Sequence, residues 1–306
     1  MRVIDISDPA HPRQIGVYDT QSYANSIAVI GQYAYVATTR PPETGQGLHV
    51  VNISDPAHPV QSGFRSERSG AYRDMAVAGG IAYLANEHGL QLIDVSNPVG
   101  PAELGFIKLS EWPGGEVLSS AVGVAVNNTL AFVATEKAGL KIVDVSNPAN
   151  LTTVGQCSWS NGFVQDVVID QGLAYVADTD GLTLIDVSNP SKPLKLASYD
   201  TPGFAESVTK MENFVYVADG GAGVSMIDVS IPSSPILAGF YNTPTYAQEV
   251  VVRGDYVYIA DQDAGLLILQ KLPSAVSQVD RLTSPSKPGV GLEISPKRDA
   301  TKIMVE

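Results

Sequence analysis

The chain has 306 residues and a net charge of −13, from 19 Lys and Arg against 32 Asp and Glu, with 44% hydrophobic and only 17% charged residues. So acidic a body repels phosphate backbones, which argues against nucleic acid as a partner, and its apolar content suffices for a large core. Cys157 is the single cysteine, which excludes an intrachain disulfide and a cysteine-built zinc site, and no apolar run reaches the roughly 18 residues of a membrane span.

Read from its start, the chain is a string of copies of one unit. Met1 is followed at once by Arg2-Val3-Ile4-Asp5-Ile6-Ser7, a repeat strand where a charged leader and apolar signal region would stand. The expectation is a cytoplasmic protein as it stands or a piece of a longer chain. The fullest copy is Gly181-Leu182-Thr183-Leu184-Ile185-Asp186-Val187-Ser188-Asn189-Pro190. Its Asp position is occupied in turn by Asp5, Asn52, Asp94, Asp144, Asp186, Asp228 and Gln270, at spacings of 47, 42, 50, 42, 42 and 42 residues. A fixed period of this length marks a repeat architecture.

Each unit reads as four short strands. In one copy these are 207–210, 214–218, 224–229 and 236–241, rich in Val, Ile and Tyr and punctuated by Gly, Asn, Asp and Pro, with no sustained helical period. Middle strands such as Ala174-Tyr175-Val176-Ala177 and Thr183-Leu184-Ile185 are apolar on both faces, so both sides of each sheet are expected to be buried. Four-stranded sheets stacked radially meet that requirement. The predicted fold is all-β, a β-propeller of four-stranded blades. In Asp-Val-Ser-Asn-Pro, proline ends the third strand while the Asp and Ser oxygens accept backbone N–H groups of the turn. A residue repeated in so many copies fits a turn better than an active site, and Asn52 keeps the acceptor oxygen without the charge.

First and second strands occur six times, third strands seven and fourth strands six. Seven blades, the first lacking its two inner strands, are favoured; six blades with a surplus third strand are the alternative. Residues 1–272 form the propeller. Residues 273–289, with Pro273, Pro285 and Pro288, read as a linker. Residues 290–306 form a tail, whose segments 290–294 and 302–305 could pair and supply the missing strands or open a further domain.

The copies Val3-Ile4-Asp5-Ile6-Ser7, Leu92-Ile93-Asp94-Val95-Ser96 and Ile142-Val143-Asp144-Val145-Ser146, with the Tyr-Val-Ala-Asp segments at 175–178 and 216–219, resemble LVIVD repeats over about residues 1–270. The resemblance implies a β-propeller, often within secreted or surface-attached bacterial and archaeal proteins, hence an extracellular or cell-surface location. It brings no catalytic residues with it.

In an up-and-down blade, the second-to-third and fourth-to-first connections emerge on one face. Both long insertions fall there: 38–46, with Arg40 and Glu43, and 107–120, with Glu111 and Trp112. Insertions on one side of a repeat array mark its binding side, here for a protein or glycan; the alternative is tolerated surface decoration. The same face carries a polar residue pair ahead of five of the six inner strands: Asn25 and Ser26, Arg73 and Asp74, Gln165 and Asp166, Glu206 and Ser207, Gln248 and Glu249; the third copy has Val122-Gly123 instead. Tyr23, Tyr72, Phe163, Phe204 and Tyr246 flank them. Radial symmetry is expected to gather these pairs at the channel mouth, as a ring suited to a cation, a cationic side chain or a sugar. The bland alternative is a water-filled channel whose polar groups satisfy one another.

Asp178 with Asp180, and Asp261 with Asp263, could offer oxygens to calcium (Ca2+), but Asp-x-Asp beside Gly is also ordinary turn chemistry, and no Glu stands where an EF-hand loop needs one. His11 and His58 sit in equivalent turns, His49 and His88 elsewhere, without a nucleophile signature. The favoured function is therefore a non-catalytic binding or scaffold propeller. The alternative is a hydrolase or lyase using channel carboxylates such as Asp166, Glu206 and Glu249, whose separation would be decisive for glycoside chemistry.

Overall fold

Runs of β-branched and aromatic residues between Gly, Asn and Asp turns form strands along the whole described chain, as their preference for a pleated, packed surface dictates. A computed structural model describes residues 1–39, 45–66, 70–109, 120–158 and 163–271. The linker at 273–289, the tail at 290–306, and Arg40, Glu43, Glu111 and Trp112 lie outside the described residues.

The order of elements is the one the repeat arithmetic gives. β1 (Arg2–Asp5) and β2 (Arg13–Val17) form a two-stranded antiparallel sheet. Five four-stranded meanders follow. The first blade holds β3 (Tyr23–Ile30), β4 (Tyr33–Thr39), β5 (Gly47–Asn52) and β6 (Val60–Ser66); the second holds β7 (Tyr72–Ala78), β8 (Ile81–Asn86), β9 (Gly89–Asp94) and β10 (Ala102–Lys108). The third comprises β11 (Ala121–Asn127), β12 (Leu130–Thr135), β13 (Gly139–Asp144) and β14 (Thr152–Cys157), and the fourth β15 (Val164–Asp170), β16 (Leu173–Asp178), β17 (Gly181–Asp186) and β18 (Leu194–Asp200). The fifth contains β19 (Ser207–Met211), β20 (Phe214–Ala218), β21 (Val224–Asp228) and β22 (Ile236–Tyr241). A sixth, three-stranded sheet has β23 (Ala247–Arg253), β24 (Tyr256–Asp261) and β25 (Gly265–Gln270). Six sheets thus carry inner strands, and the β1–β2 pair supplies only the outer half of a seventh.

The inner strands β3, β7, β11, β15, β19 and β23 stand side by side in that order around the axis. The core lies between successive sheets. Leu90 and Leu92 of the second blade, both fully buried, meet Val124, Val133 and Val143 of the third. Burying one such side chain contributes about 1.5–3 kcal/mol, and each interface repeats the layer. At the rim, a fourth-strand glycine lies against the turn of the next blade: a Cβ on Gly63, Gly105 or Gly155 would meet the carbonyl oxygen of Pro98, Pro148 or Pro190 at 2.3, 1.9 and 1.9 Å. Gly16 of β2 packs in the same way, with Pro56 O at 2.1 Å. The outer pair therefore stacks on the first blade as each of the first three blades stacks on its successor.

The turn aspartates are structural. Asp5, Asn52, Asp94, Asp144, Asp186 and Asp228 each accept the backbone N–H of the serine two residues on, at 2.8–2.9 Å. The serine hydroxyl, then the serine N–H, hold Asp94, Asp144 and Asp186 below the usual carboxylate range. His11 and His58 likewise bond Asp8 and Asp55 within their turns at 2.8 Å.

Candidate functional site at the channel mouth

Five of the six inner strands begin with a register shift, a β-bulge that lets two residues oppose one on the partner strand. Where a polar pair meets the bulge, its two residues take different directions. The second residue of each pair, with Gly123 in the third blade, stands opposite a second-strand alanine, so Ser26, Asp74, Gly123, Asp166, Ser207 and Glu249 are equivalent. Small and acidic residues alternate around the ring.

Two of these acids tie neighbouring blades together. Asp74 takes the Ser26 hydroxyl of the first blade at 2.9 Å and the Val124 N–H of the third at 2.8 Å. Asp166 takes the Val208 N–H of the fifth blade at 2.9 Å and its neighbour Val167 N–H at 2.7 Å. Burial raises the pKa of Asp74, opposed by these donors. Burial, then the charge of Asp74, pushes Asp166 up to about 6. Glu249 is open to channel water, yet crowding by the walls, then the charges of Asp166 and Asp74, lifts it to about 8. The Ser207 hydroxyl, buried at 4% exposure, lies close enough to Asp166 and Glu249 to favour their charged forms but makes no aligned hydrogen bond with either.

Three of the first residues bond partners outside this ring. Asn25 donates to Tyr72 O at 2.7 Å, across to the next blade. Arg73 pairs with Glu87 at 3.7 Å. Glu206 accepts the Tyr246 hydroxyl at 2.5 Å, and that bond, followed by burial, raises the phenol to about 12. Gln165 and Gln248 occupy the bulge positions of the fourth and sixth blades. Tyr72 is fully buried, its hydroxyl on Gln91 at 2.6 Å. By contrast, Tyr23, Phe163 and Phe204 are 71%, 43% and 39% exposed on the mouth face.

The calcium candidates lie in two blades, engaged by protein donors. Asp178 accepts Asp180 N–H at 3.0 Å and the Thr183 hydroxyl at 2.8 Å. Asp261 accepts the Thr243 hydroxyl at 2.9 Å and Thr245 N–H at 3.0 Å, while Asp263 sits on an exposed 3-10 turn, Gln262–Ala264. Thr38, Asn86, Thr135 and Asp219 occupy the same strand-end position as Asp178 and Asp261, and all are buried and hydrogen-bonded to nearby turn or loop groups. Among the described residues, no three His, Cys, Asp or Glu side chains are grouped to hold a metal ion.

A ring of four-stranded sheets about a polar channel defines a β-propeller. The chain belongs to the LVIVD repeat family, whose repeat matches at residues 1–20, 21–64, 69–107, 119–158, 161–201, 202–243 and 244–270. No curated protein sequence matches. Among solved structures the chain resembles the computationally designed Ika8 protein, with a TM-score of 0.61 and 9% identity over 82% of this chain and 71% of that one. It also resembles BamB from Moraxella catarrhalis, with a TM-score of 0.61 and 12% identity over 84% of this chain and 76% of that one. At such identities the likeness is one of fold alone.

Proposed function

We propose that this is a non-catalytic binding or scaffold propeller of a secreted or surface-located protein, taking a protein or glycan on its channel-mouth face. The observation that carries the reading is the set of exposed aromatics there, Tyr23, Phe163 and Phe204, at the ends of the connections where both long insertions fall. Exposed rings amid polar groups serve protein and sugar recognition, since they bring large contact area at low entropic cost. The carboxylates beneath support a non-catalytic role: Asp74 and Asp166 are committed to bonds between blades, and Glu206 to Tyr246.

A photoreactive side chain in place of Phe163 is expected to give a discrete adduct in an extract of the producing cells or to label a binding glycan on an array. The same group in place of Ser188, in a turn of the opposite face, should give none. Equal labelling from both positions sinks the face assignment. The triple substitution Tyr23→Ala, Phe163→Ala and Phe204→Ala should weaken binding at least about 100-fold, as loss of anchor residues does.

A further inference from the structure

Among the described residues the seventh position of the ring holds two strands, β1 and β2. Wherever an inner strand faces a complete preceding blade, the residue after its ring position is covered: Met75, Val124, Val167, Val208 and Val250 are 6%, 5%, 4%, 6% and 1% exposed. Their counterpart Ile27 is 45% exposed, and Val29 on the same strand 55%. The opposing wall is open too. Tyr258, Leu266 and Ile268 of the sixth blade are only half-buried, whereas the equivalent Tyr175, Leu182 and Leu184 of the fourth are 3%, 0% and 0% exposed. β23 and β3 do not pack side by side, although every other neighbouring pair of inner strands does.

Two further features show what fits between them. β1 pairs with β2 alone, so its inner edge, where the other blades hold their second strand, lacks a strand partner among the described residues. Its outer face is seated normally: Met1 and Val3 pack with Ala34, Val36 and Val51 of the first blade. Glu249 is the third acid of the alternating ring. Asp74 and Asp166 each take the N–H that follows the small residue of the next blade. Glu249 has no such donor among the described residues, because the next inner strand is the one the slot lacks.

We propose that the cleft between β3 and β23 is a docking site for a β-hairpin patterned on the first two strands of this chain's own repeat. Its inner strand carries a small residue followed by a β-branched one whose N–H meets Glu249; its second strand pairs with β1 and presents an aromatic ring to the first blade. Strand addition supplies main-chain hydrogen bonds along the free edge, and the pockets select alternate side chains. The inference is independent of the mouth-face reading, since it concerns the side of the ring.

The test copies residues 205–223 and joins them directly ahead of Met1, which aligns with Val224, in the full chain. Amide exchange at Ile27–Ile30 and within the added hairpin should slow by about tenfold or more, as expected when frayed elements join a cooperative unit. The same fusion with Asp in place of the copied Val208 should lose that protection. In trans, a peptide of residues 205–219 with a photoreactive group at the Tyr216 position should label β3 or the sixth blade of the unaltered chain. A hairpin that exchanges like an unfolded chain beside an intact propeller, or labelling elsewhere, overturns the proposal. So does protection of 290–306 in the unaltered chain, which would put this chain's own tail in the cleft, or a dimer on sedimentation, which would put a second copy there.

Discussion

Gly155→Ala is expected to lower stability by about 3 kcal/mol, the upper end of what overpacking ordinarily costs. The added Cβ would sit 1.9 Å from the carbonyl oxygen of Pro190, with Ser191 Cα at 3.3 Å behind it, so the atoms that would have to yield are backbone in a proline-fixed turn. No rotamer change relieves the contact. Moving the turn would separate the outer strands of two blades and open the apolar layer between them. Gly105→Ala, which meets Pro148 O at 1.9 Å, should behave alike. Gly221→Ala is the control: nothing lies within 4 Å of its Cβ, and the change should be near neutral. Denaturant midpoints of the three variants decide the matter. If Gly155→Ala melts with Gly221→Ala, the rim contact does not hold the blades together.

The second large effect is a rise in thermal midpoint as pH falls from about 8.5 to about 5.5. Glu249 and Asp166 have folded pKa values of about 8 and about 6, above the ordinary values of 4.5 and 3.8. The folded state therefore binds protons more tightly than the unfolded chain, and stability grows as pH drops through the folded values towards the unfolded ones. Because channel water screens Glu249, its share is on the order of 1 kcal/mol, well below a full conversion of the shift. Glu249→Gln should flatten the upper part of the slope, between about pH 7 and 8.5. Below about pH 4 the trend reverses. Asp94, Asp144 and Asp186, held low by their serine partners, then protonate and lose what their turns gain from the charge. A midpoint that climbs steadily from pH 5.5 to 8.5 would show that the acid ring is not under mutual repulsion.

Much of the architecture was legible in the sequence because the repeat is nearly regular. Apolar middle strands demand cover on both faces, and the Asp-Val-Ser-Asn-Pro turn announces itself by its acceptor oxygens. The strand inventory, starting with a third and fourth strand and ending with a third, carried straight into β1–β2 and β23–β25. The site was legible in composition but not in direction. Asn25 and Ser26 are adjacent in sequence, and only the bulge sends the first to the Tyr72 carbonyl and the second to Asp74 in the ring. Aligning the copies on their Tyr-Val-Ala strands would have put Ser26, Asp74, Gly123, Asp166, Ser207 and Glu249 in one column and shown the alternation. Tyr72 was placed among the mouth aromatics but is core, because it stands one residue farther along its inner strand than Tyr23 and Phe163, at the buried position of Val164 and Ala247. Fourth-strand glycines carry no signal of their own; their role depends on a turn 35 or more residues away.

The unjoined seam between β23 and β3 also governs how the molecule comes apart. Among the described residues each sheet leans only on its immediate neighbours, so stability is a sum of nearest-neighbour terms along a line bent into a circle, without the redundancy of a closed hoop. Tension on the two ends would peel sheets from either side of the seam, while the third and fourth blades, farthest from both ends, would be the last to yield. A lesion in those central blades has no detour around it: it divides the stack into two short arrays, each with fresh apolar faces. Such a lesion should therefore be felt by the whole molecule, whereas the same lesion in the sixth blade should stay local.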